Sequence, residues 1–302
     1  NWIRILDTPD PLLTTRPIDP TQDVGATTRR LSVTVPIDVT TALLTTVPTA
    51  FHAGIDDVLL TGLATAVTEW RRRQGQDGGG GLLVVLEGHG RIPLAEGVEL
   101  SRTVGWFTNS YPVRLDPGAV NFTEVRAGGP AAGRAIKRIK ELLRAVPGDG
   151  LGYGLLRYLN PDTAPQLANL PTPQIGFNYL GRFASGGAGE ADQRMWQTVA
   201  QGLGDTDAQL PVMHPLEVTG AVHDLAEGPQ LMLVMSWPAD LFAESDVQAL
   251  LDGWAAMLTG LATHTADSGG GGYTPSDFPL MELSQDELDE FEAAAKQIEE
   301  GA

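Results

Sequence analysis

A short, unbroken apolar run, Leu82–Leu86, constrains the fold more than any other feature of the sequence. It follows a glycine-rich stretch at 77–81 and stops at the polar segment Glu87–Arg91, so it is too short for a helix and is typical of a buried strand. A buried strand must be covered by other elements. The run therefore predicts a layered fold in which a carboxylate, that of Glu87, lies at the end of a buried strand.

The rest of the chain alternates between strand-like and helix-like patterns. Alternating apolar residues predict strands, and apolar residues on one face of a 3.6-residue repeat predict amphipathic helices. These patterns indicate a mixed α/β fold with one sheet covered by helices, and no internal repeat of solenoid type is present. Strands are predicted at 31–37, 82–86, 111–115, 174–180, 216–223 and 230–237, and helices at 56–70, 134–145 and 244–263.

The ends of the chain differ in composition from its middle. Residues 1–30 are rich in proline and threonine without a sustained period, which indicates a lead-in segment or an interlobe linker. Residues 31–281 are predicted to form the folded lobe, in which 183–210 is glycine-rich and weakly periodic. A capping-box pattern at Ser284–Glu287 predicts an acidic C-terminal helix within residues 282–302.

The charge of the chain excludes two classes of partner. It carries 20 Lys and Arg against 38 Asp and Glu, a formal net charge of −18. Nucleic acids and anionic membranes are bound through clustered basic residues, so neither is an expected partner. No apolar run reaches the roughly 20 residues of a membrane span, and the first residues lack the features of a signal peptide. These observations predict a soluble, cytoplasmic protein.

Composition and motifs also exclude several kinds of chemistry. Cysteine is absent, which excludes a thiolate nucleophile within the chain. The five histidines lack metal-ligand spacing, and the three lysines offer no buried Schiff-base position. The glycine cluster 148–154 follows a predicted helix, so it is interpreted as a helix stop and the bent start of a strand instead of a phosphate loop. We therefore expect no intrinsic cofactor and no metal.

Five segments occur in the order and approximate spacing of the signature motifs of peptide-synthetase epimerization domains. Each is moderately specific alone, and together they identify a resemblance to this family over nearly the whole chain. The segments are Asp57–Leu60 (D-x-L-L), Glu87–Arg91 (E-G-H-G-R), Arg102–Pro112 (R-T-V-G-W-F-T-x-x-Y-P), Pro147–Gly154 (P-x-x-G-x-G-Y-G) and Phe177–Gly181 (F-N-Y-L-G).

The resemblance implies a chloramphenicol-acetyltransferase-like α/β lobe with a mostly antiparallel or mixed sheet, forming half of a V-shaped, two-lobed domain. The family's H-H-x-x-x-D-G motif, which supplies a histidine from the N-terminal lobe, has no counterpart here, so the chain resembles the C-terminal lobe. Residues 183–210 are expected to cross to the partner lobe, and the surface around Glu87 is expected to be open and apolar.

The implied activity is a cofactor-independent amino-acid epimerase (isomerase). It would invert the α-carbon of an aminoacyl or peptidyl thioester held on the phosphopantetheine arm of a peptidyl carrier protein. The implied partners are that carrier protein, the N-terminal lobe and other modules of a nonribosomal peptide synthetase. The chain alone is expected to be inactive because half of the catalytic pair lies in the other lobe.

The resemblance also proposes catalytic residues. Glu87 is one of two acid/base groups, and burial at the end of an apolar strand is expected to favour its protonated form. Asn178 and Tyr179 lie near the reaction centre, where either could hydrogen-bond a developing enolate. Because successive residues of a strand point to opposite faces, only one is expected to point straight into the channel, and Asn178 is the first choice.

Three further residues are expected to support the site. His89 shares a strand face with Glu87 if the strand continues, and is expected to orient Glu87 or its turn. Arg91 can pair with an acidic neighbour or with the phosphate of phosphopantetheine. Tyr153 follows a glycine, and packing explains it better than a supporting role does.

Three other functions compete with the epimerase hypothesis. A condensation domain of the same superfamily would form a peptide bond between two carrier-bound substrates, and the E-G-H-G-R and F-N-Y-L-G segments argue against it. A non-catalytic docking module would bind a carrier protein without chemistry. A free-standing cofactor enzyme is disfavoured by the missing cofactor motifs.

Overall fold

The computed structural model describes residues 1–76, 80–92, 97–184, 207–266 and 270–300. Within these ranges the strands are β1 (Thr28–Thr34), β2 (Leu82–Gly88), β3 (Asn109–Leu115), β4 (Ile175–Ala184), β5 (Leu216–Leu225) and β6 (Gly228–Pro238). They form one sheet in the order β1–β6–β5–β4–β2–β3. β4 pairs in parallel with both β2 and β5, and the other neighbours are antiparallel.

Helices precede, connect and follow these strands. In the described residues they are α1 (Trp2–Leu6), α2 (Ile37–Leu44), α3 (Thr46–Phe51), α4 (Ile55–Arg73), α5 (Phe122–Arg126), α6 (Pro130–Arg144), α7 (Leu151–Gly154), α8 (Ala164–Ala168), α9 (Glu244–His264) and α10 (Gln285–Glu300). A mixed sheet covered by helices confirms the predicted fold class.

The main core lies between one face of the sheet and helices α4, α6 and α9. Leu82, Val84 and Leu86 of β2 point into it, together with apolar side chains of β4, β5 and β6. The buried indole of Trp254 in α9 donates its N–H to the carbonyl of Leu59 in α4 at 2.9 Å, which fixes the two longest core helices against each other. The helix layer therefore holds the strands rigidly from one side.

The opposite face of the sheet is only partly covered. Leu83 of β2 points to this face and packs with Trp2, Leu6 and Leu167 in a second, smaller core. Asp10 forms an ion pair with Arg71 of α4 at 2.7 Å, with their side chains 1% and 2% exposed. The first residues of the chain are thus packed onto the lobe, and a linker role for residues 1–30 stays a prediction.

Several local predictions need correction. Strand β2 continues through Glu87 to Gly88. The glycine cluster 148–154 forms a 3₁₀ turn and α7, so the predicted strand start there is wrong. Helix α4 begins at Ile55, and Asp57 in its first turn accepts the backbone N–H of Gly54. Most of the predicted crossing segment 183–210 lies outside the described residues.

The lengths and apolarity of the helices bear on whether any of them could span a membrane. No single helix in the described ranges combines the length and the apolarity required to cross a bilayer. Ile37–Phe51 and Ile55–Arg73 meet the criterion only when taken together, and they are bent by 100° relative to each other.

Candidate functional site

Two residues predicted for the site meet on the partly covered face of the sheet. Because β2 and β4 are parallel and Leu86 pairs with Phe177, the next residue on each strand lies beside the other. The side-chain amide of Asn178 donates a hydrogen bond to Glu87 Oε2 at 2.8 Å. The sheet register thus joins the E-G-H-G-R segment to the F-N-Y-L-G segment.

The predicted burial of Glu87 is wrong. Its side chain is exposed, and its same-face neighbour on β2, Val85, is only half-buried. The helix layer covers the face of β2 on which Leu86 is buried, whereas Glu87 stays accessible to water at the end of this strand. The carboxylate is held by Asn178 and not by an apolar environment.

Tyr179 lies on the helix-covered side, as the alternation along the strand predicts. It lines a cleft of about 200 Å³ together with Asp56, Tyr111 and Glu87. Burial raises the pKa of Tyr179, and the nearby carboxylate of Asp56 adds to this effect. Partial desolvation by the surrounding protein also raises the pKa of the Asp56 carboxyl, and the nearby charge of Asp57 adds a smaller effect. The Asp56 side chain is still accessible to water through the open cleft. The cleft therefore favours protonated oxygens that can donate hydrogen bonds.

A second cavity opens on the other side of the strand end. This groove has a volume of about 280 Å³ and is lined by Glu87, Asn178 and Tyr153, among others. Tyr153 packs against Trp2 with ring centroids 5.1 Å apart and also lines the groove. Burial raises the pKa of Tyr153. Glu87, Tyr111 and Phe177 line both the cleft and the groove.

His89 and Arg91 organise the loop that follows Glu87. His89 Nδ1 accepts the backbone N–H of Arg91 at 3.0 Å. The guanidinium of Arg91 donates to the carbonyl oxygens of Leu100 and Thr103 at 2.6 and 2.9 Å, and stacks over Phe107 at 4.6 Å. In the described part of the chain, neither side chain forms a hydrogen bond with Glu87.

The backbone conformation at Gly90 requires a glycine in this turn. Its φ of +63° lies in the left-handed region, and a Cβ atom there would overlap the carbonyl oxygen of Phe107. The turn after Glu87 and the following loop can therefore approach each other only with glycine at this position.

Three polar side chains beside the site were not predicted from the sequence. Asp56 was predicted only as the first residue of the helix at 56–70, yet it lines the cleft together with Tyr179. His214 and Glu217 form an Nδ1–Oε1 contact of 2.8 Å in the groove. Their spacing of three residues carries no motif, so only the fold reveals the pair. Among the described residues, no three His, Asp or Glu side chains are grouped so that they could hold a metal ion.

The surface around the groove carries exposed apolar side chains. Tyr158 and Met213 line the groove and are largely exposed, as is Leu159 beside Tyr158. Trp106, in the loop organised by Arg91, is 91% exposed. Exposed apolar groups of this size are typical of a surface that another protein part covers.

Comparisons with known proteins give a consistent result. Residues 2–278 match the profile of the Condensation domain family. The chain is 39% identical over 287 residues to one of the linear gramicidin synthase subunits of Brevibacillus parabrevis, covering 91% of this chain and 5% of the relative. It is 32% identical over 288 residues to bacitracin synthase 3 of Bacillus licheniformis, covering 93% of this chain and 4% of the relative.

Among solved structures, the chain is similar to the epimerization domain from the third module of tyrocidine synthetase B. The TM-score is 0.66 at 29% identity, covering 85% of this chain and 52% of that one. The chain thus spans about half of this solved domain and a small part of each curated relative. By its family match and its helix-covered mixed sheet, the chain belongs to the condensation-domain family of nonribosomal peptide synthetases.

Proposed function

We propose that the chain is the C-terminal lobe of an epimerization domain, which interconverts the L and D forms of an aminoacyl or peptidyl thioester on a carrier protein. The observation that carries this proposal is the hydrogen bond from Asn178 to Glu87, at the point where β2 ends beside β4. It brings together the two segments that distinguish the resemblance to epimerization domains from a resemblance to the condensation family in general.

The proposed reaction consists of two proton transfers on opposite faces of one carbon. A base removes the α-proton of the thioester, the carbanion is delocalised into an enolate, and an acid returns a proton to the other face. Glu87 is accessible to substrate and is positioned by Asn178, so it serves as one of these groups. The histidine of the H-H-x-x-x-D-G motif, in a lobe absent from this sequence, would serve as the other.

Neighbouring polar groups fit stabilisation of the enolate. The amide of Asn178 can hydrogen-bond an oxygen anion beside Glu87, which supplies stabilisation where negative charge develops. Tyr179 lines the adjoining cleft with a raised pKa, so its phenol stays a hydrogen-bond donor at neutral pH. Arg91 and His89 support the site indirectly through the loop after Glu87, and Tyr153 forms part of the groove.

The partners follow from the same proposal. The substrate would arrive on the phosphopantetheine arm of a peptidyl carrier protein, and the N-terminal lobe would cover the exposed apolar side chains at the groove. Removal of an α-proton by carboxylate and histidine requires no cofactor of its own. The whole domain, and not this chain alone, is the proposed epimerase.

The test uses the chain joined to an N-terminal lobe that bears the histidine motif. Carrier-bound aminoacyl thioester is incubated in D₂O, and deuterium at the α-carbon is measured by mass spectrometry after hydrolysis. We expect exchange by the two-lobed protein and a loss of about 100-fold or more in Glu87→Gln, the size of a general acid/base contribution. Glu227→Gln, at an exposed carboxylate in the β5–β6 turn, is the matched control and should exchange normally.

Two outcomes would reject the proposal in favour of the competing functions. Formation of a peptide bond with a second carrier's amine, without α-proton exchange, would identify a condensation domain. Carrier binding that is unchanged by Glu87→Gln, with no exchange in the two-lobed protein, would identify a docking module.

A further inference from the structure

The groove beside Glu87 is at the small end of the range of ligand cavities. Its volume is about 280 Å³, whereas cavities for drug-sized ligands occupy about 300–1,000 Å³. It starts at Glu87 and Asn178, the pair that would hold the α-carbon, and continues along the open face of the sheet. A group attached to that carbon is therefore the natural occupant.

The walls of the groove are mainly apolar. Val85 and Pro112 form its floor on the sheet, and Tyr153, Leu170 and Pro171 form one side. Burial of apolar surface against such walls stabilises binding at about 25 cal/mol per Å², and a larger side chain buries more of it. The groove therefore favours bulky apolar groups over a methyl group.

The far end of the groove is occupied by His214 and Glu217. The His214 side chain is 11% exposed and contacts Glu217 at 2.8 Å. Both lie over Gly176, where a Cβ atom would overlap Glu217 Oε2 and come within 2.7 Å of His214 Nδ1. The missing side chain of Gly176 is thus what allows the pair to lie here.

The length of the groove follows from the sheet register. Gly176 pairs with Glu217 across β4 and β5, and Asn178 is the next β4 residue on the same face. Two residues along a strand span roughly 7 Å. An aromatic or long aliphatic side chain extends over about this distance, whereas a methyl group leaves most of it empty.

We infer that this groove selects the side chain of the residue whose α-carbon is inverted, and that this side chain is large and apolar. The inference rests on the proposed function, since it takes Glu87 and Asn178 to mark the position of the α-carbon. The carboxylates of Glu87 and Glu217 line the groove and repel an acidic side chain, whereas Arg157 lines it too and attracts one, so the selection rests on size and apolar contact.

The pantetheine arm fits this groove less well. The arm is longer than the roughly 7 Å that separates Asn178 from Gly176 along β4, so it would extend beyond this groove. Its path to Glu87 would then run elsewhere, and the two occupants can be distinguished by experiment.

Ala168 offers a way to fill the groove without disturbing the core. It is an exposed residue at the end of α8 and lines the groove, whereas Gln166, also exposed on α8, does not. The two-lobed protein and its Ala168→Trp and Gln166→Trp variants are assayed for α-deuterium exchange with carrier-bound Ala, Leu, Phe and Trp thioesters. We expect the parent to prefer Phe and Trp over Ala by roughly tenfold or more in kcat/KM, the discrimination typical of an apolar pocket.

The Ala168→Trp variant should lose this preference while keeping the exchange of the Ala substrate, and Gln166→Trp should resemble the parent. Retained activity with Ala also shows that the variant is folded. Should Ala168→Trp not fold, Leu170→Ala enlarges the same groove and should shift the preference further toward Trp.

Other results would overturn the inference. Equal losses with all four substrates in Ala168→Trp would assign the groove to the pantetheine arm, and unchanged preferences would show that no side chain enters it. A parent that exchanges all four substrates equally would refute the selection while leaving the epimerase proposal intact. A parent that exchanges none of them would refute the proposed function, and this inference with it.

Discussion

Replacing Asp10 by alanine tests whether the first residues of the chain stabilise the lobe. Its carboxylate pairs with Arg71 at 2.7 Å and accepts a hydrogen bond from Gln174 at 3.1 Å. Removing one partner of a buried ion pair costs about 3–5 kcal/mol. Arg71 keeps the carbonyl oxygens of Pro11 and Gly81 as acceptors, which favours the lower end, and the lost Gln174 bond adds about 1 kcal/mol. We expect the free energy of unfolding to fall by about 4 kcal/mol.

The measurement is urea unfolding followed by tryptophan fluorescence. Asp10→Asn keeps an oxygen acceptor for Arg71 but loses the charge, so a smaller loss than in Asp10→Ala is expected, because a hydrogen bond to a charged group, worth about 1.5–3 kcal/mol, is retained. Asp7→Ala, at an exposed aspartate, is the control and should change stability by less than about 0.5 kcal/mol. If Asp10→Ala were as stable as this control, residues 1–30 would act as a linker and the reasoning from burial would be refuted.

Three further outcomes are expected. Burial opposes ionisation of Asp277, but the Lys140 ammonium at 2.6 Å holds the pKa of Asp277 below its usual value. This pair therefore stabilises the fold at neutral pH, and the stabilisation is lost as acidification protonates Asp277. Lys140→Met should weaken this acid dependence in unfolding curves. Because the pKa of Tyr179 is raised, its phenol should ionise at a higher pH than a free tyrosine in an ultraviolet titration, and Tyr179→Phe should lose this component. If the component lost in Tyr179→Phe ionised at the pH of a free tyrosine, the prediction would be contradicted. Trp106→Ala should leave the unfolding free energy of this chain within about 0.5 kcal/mol, since the side chain is 91% exposed, but should reduce α-proton exchange in the two-lobed protein if that loop meets the other lobe.

Local periodicity predicted much of the fold. The apolar run Leu82–Leu86 and the alternation around Asn178 reflect burial on particular faces, which is set by side-chain direction along a strand. The placement of Asn178 and Tyr179 on opposite faces follows from the same rule, and the structure has them in different cavities. Such features need no knowledge of which strands are neighbours.

Features that depend on strand neighbours could not be predicted in this way. The contact of Glu87 with Asn178 depends on the parallel register of β2 and β4, and the pairing of His214 with Glu217 depends on the missing side chain of Gly176. The exposure of Glu87 was missed because an apolar run does not reveal how far the helix layer extends along it.

The parallel pairing of β2 and β4 also has a kinetic consequence. Glu87 and Asn178 are 91 residues apart in the chain, so their contact requires closure of a long loop. The entropy lost in this closure is offset only once the strands have paired. Contacts of this separation form slowly compared with helices and hairpins such as β5–β6. A nascent or partly refolded chain can therefore contain most of its helices and still lack the site. The site forms only when β2 pairs with β4.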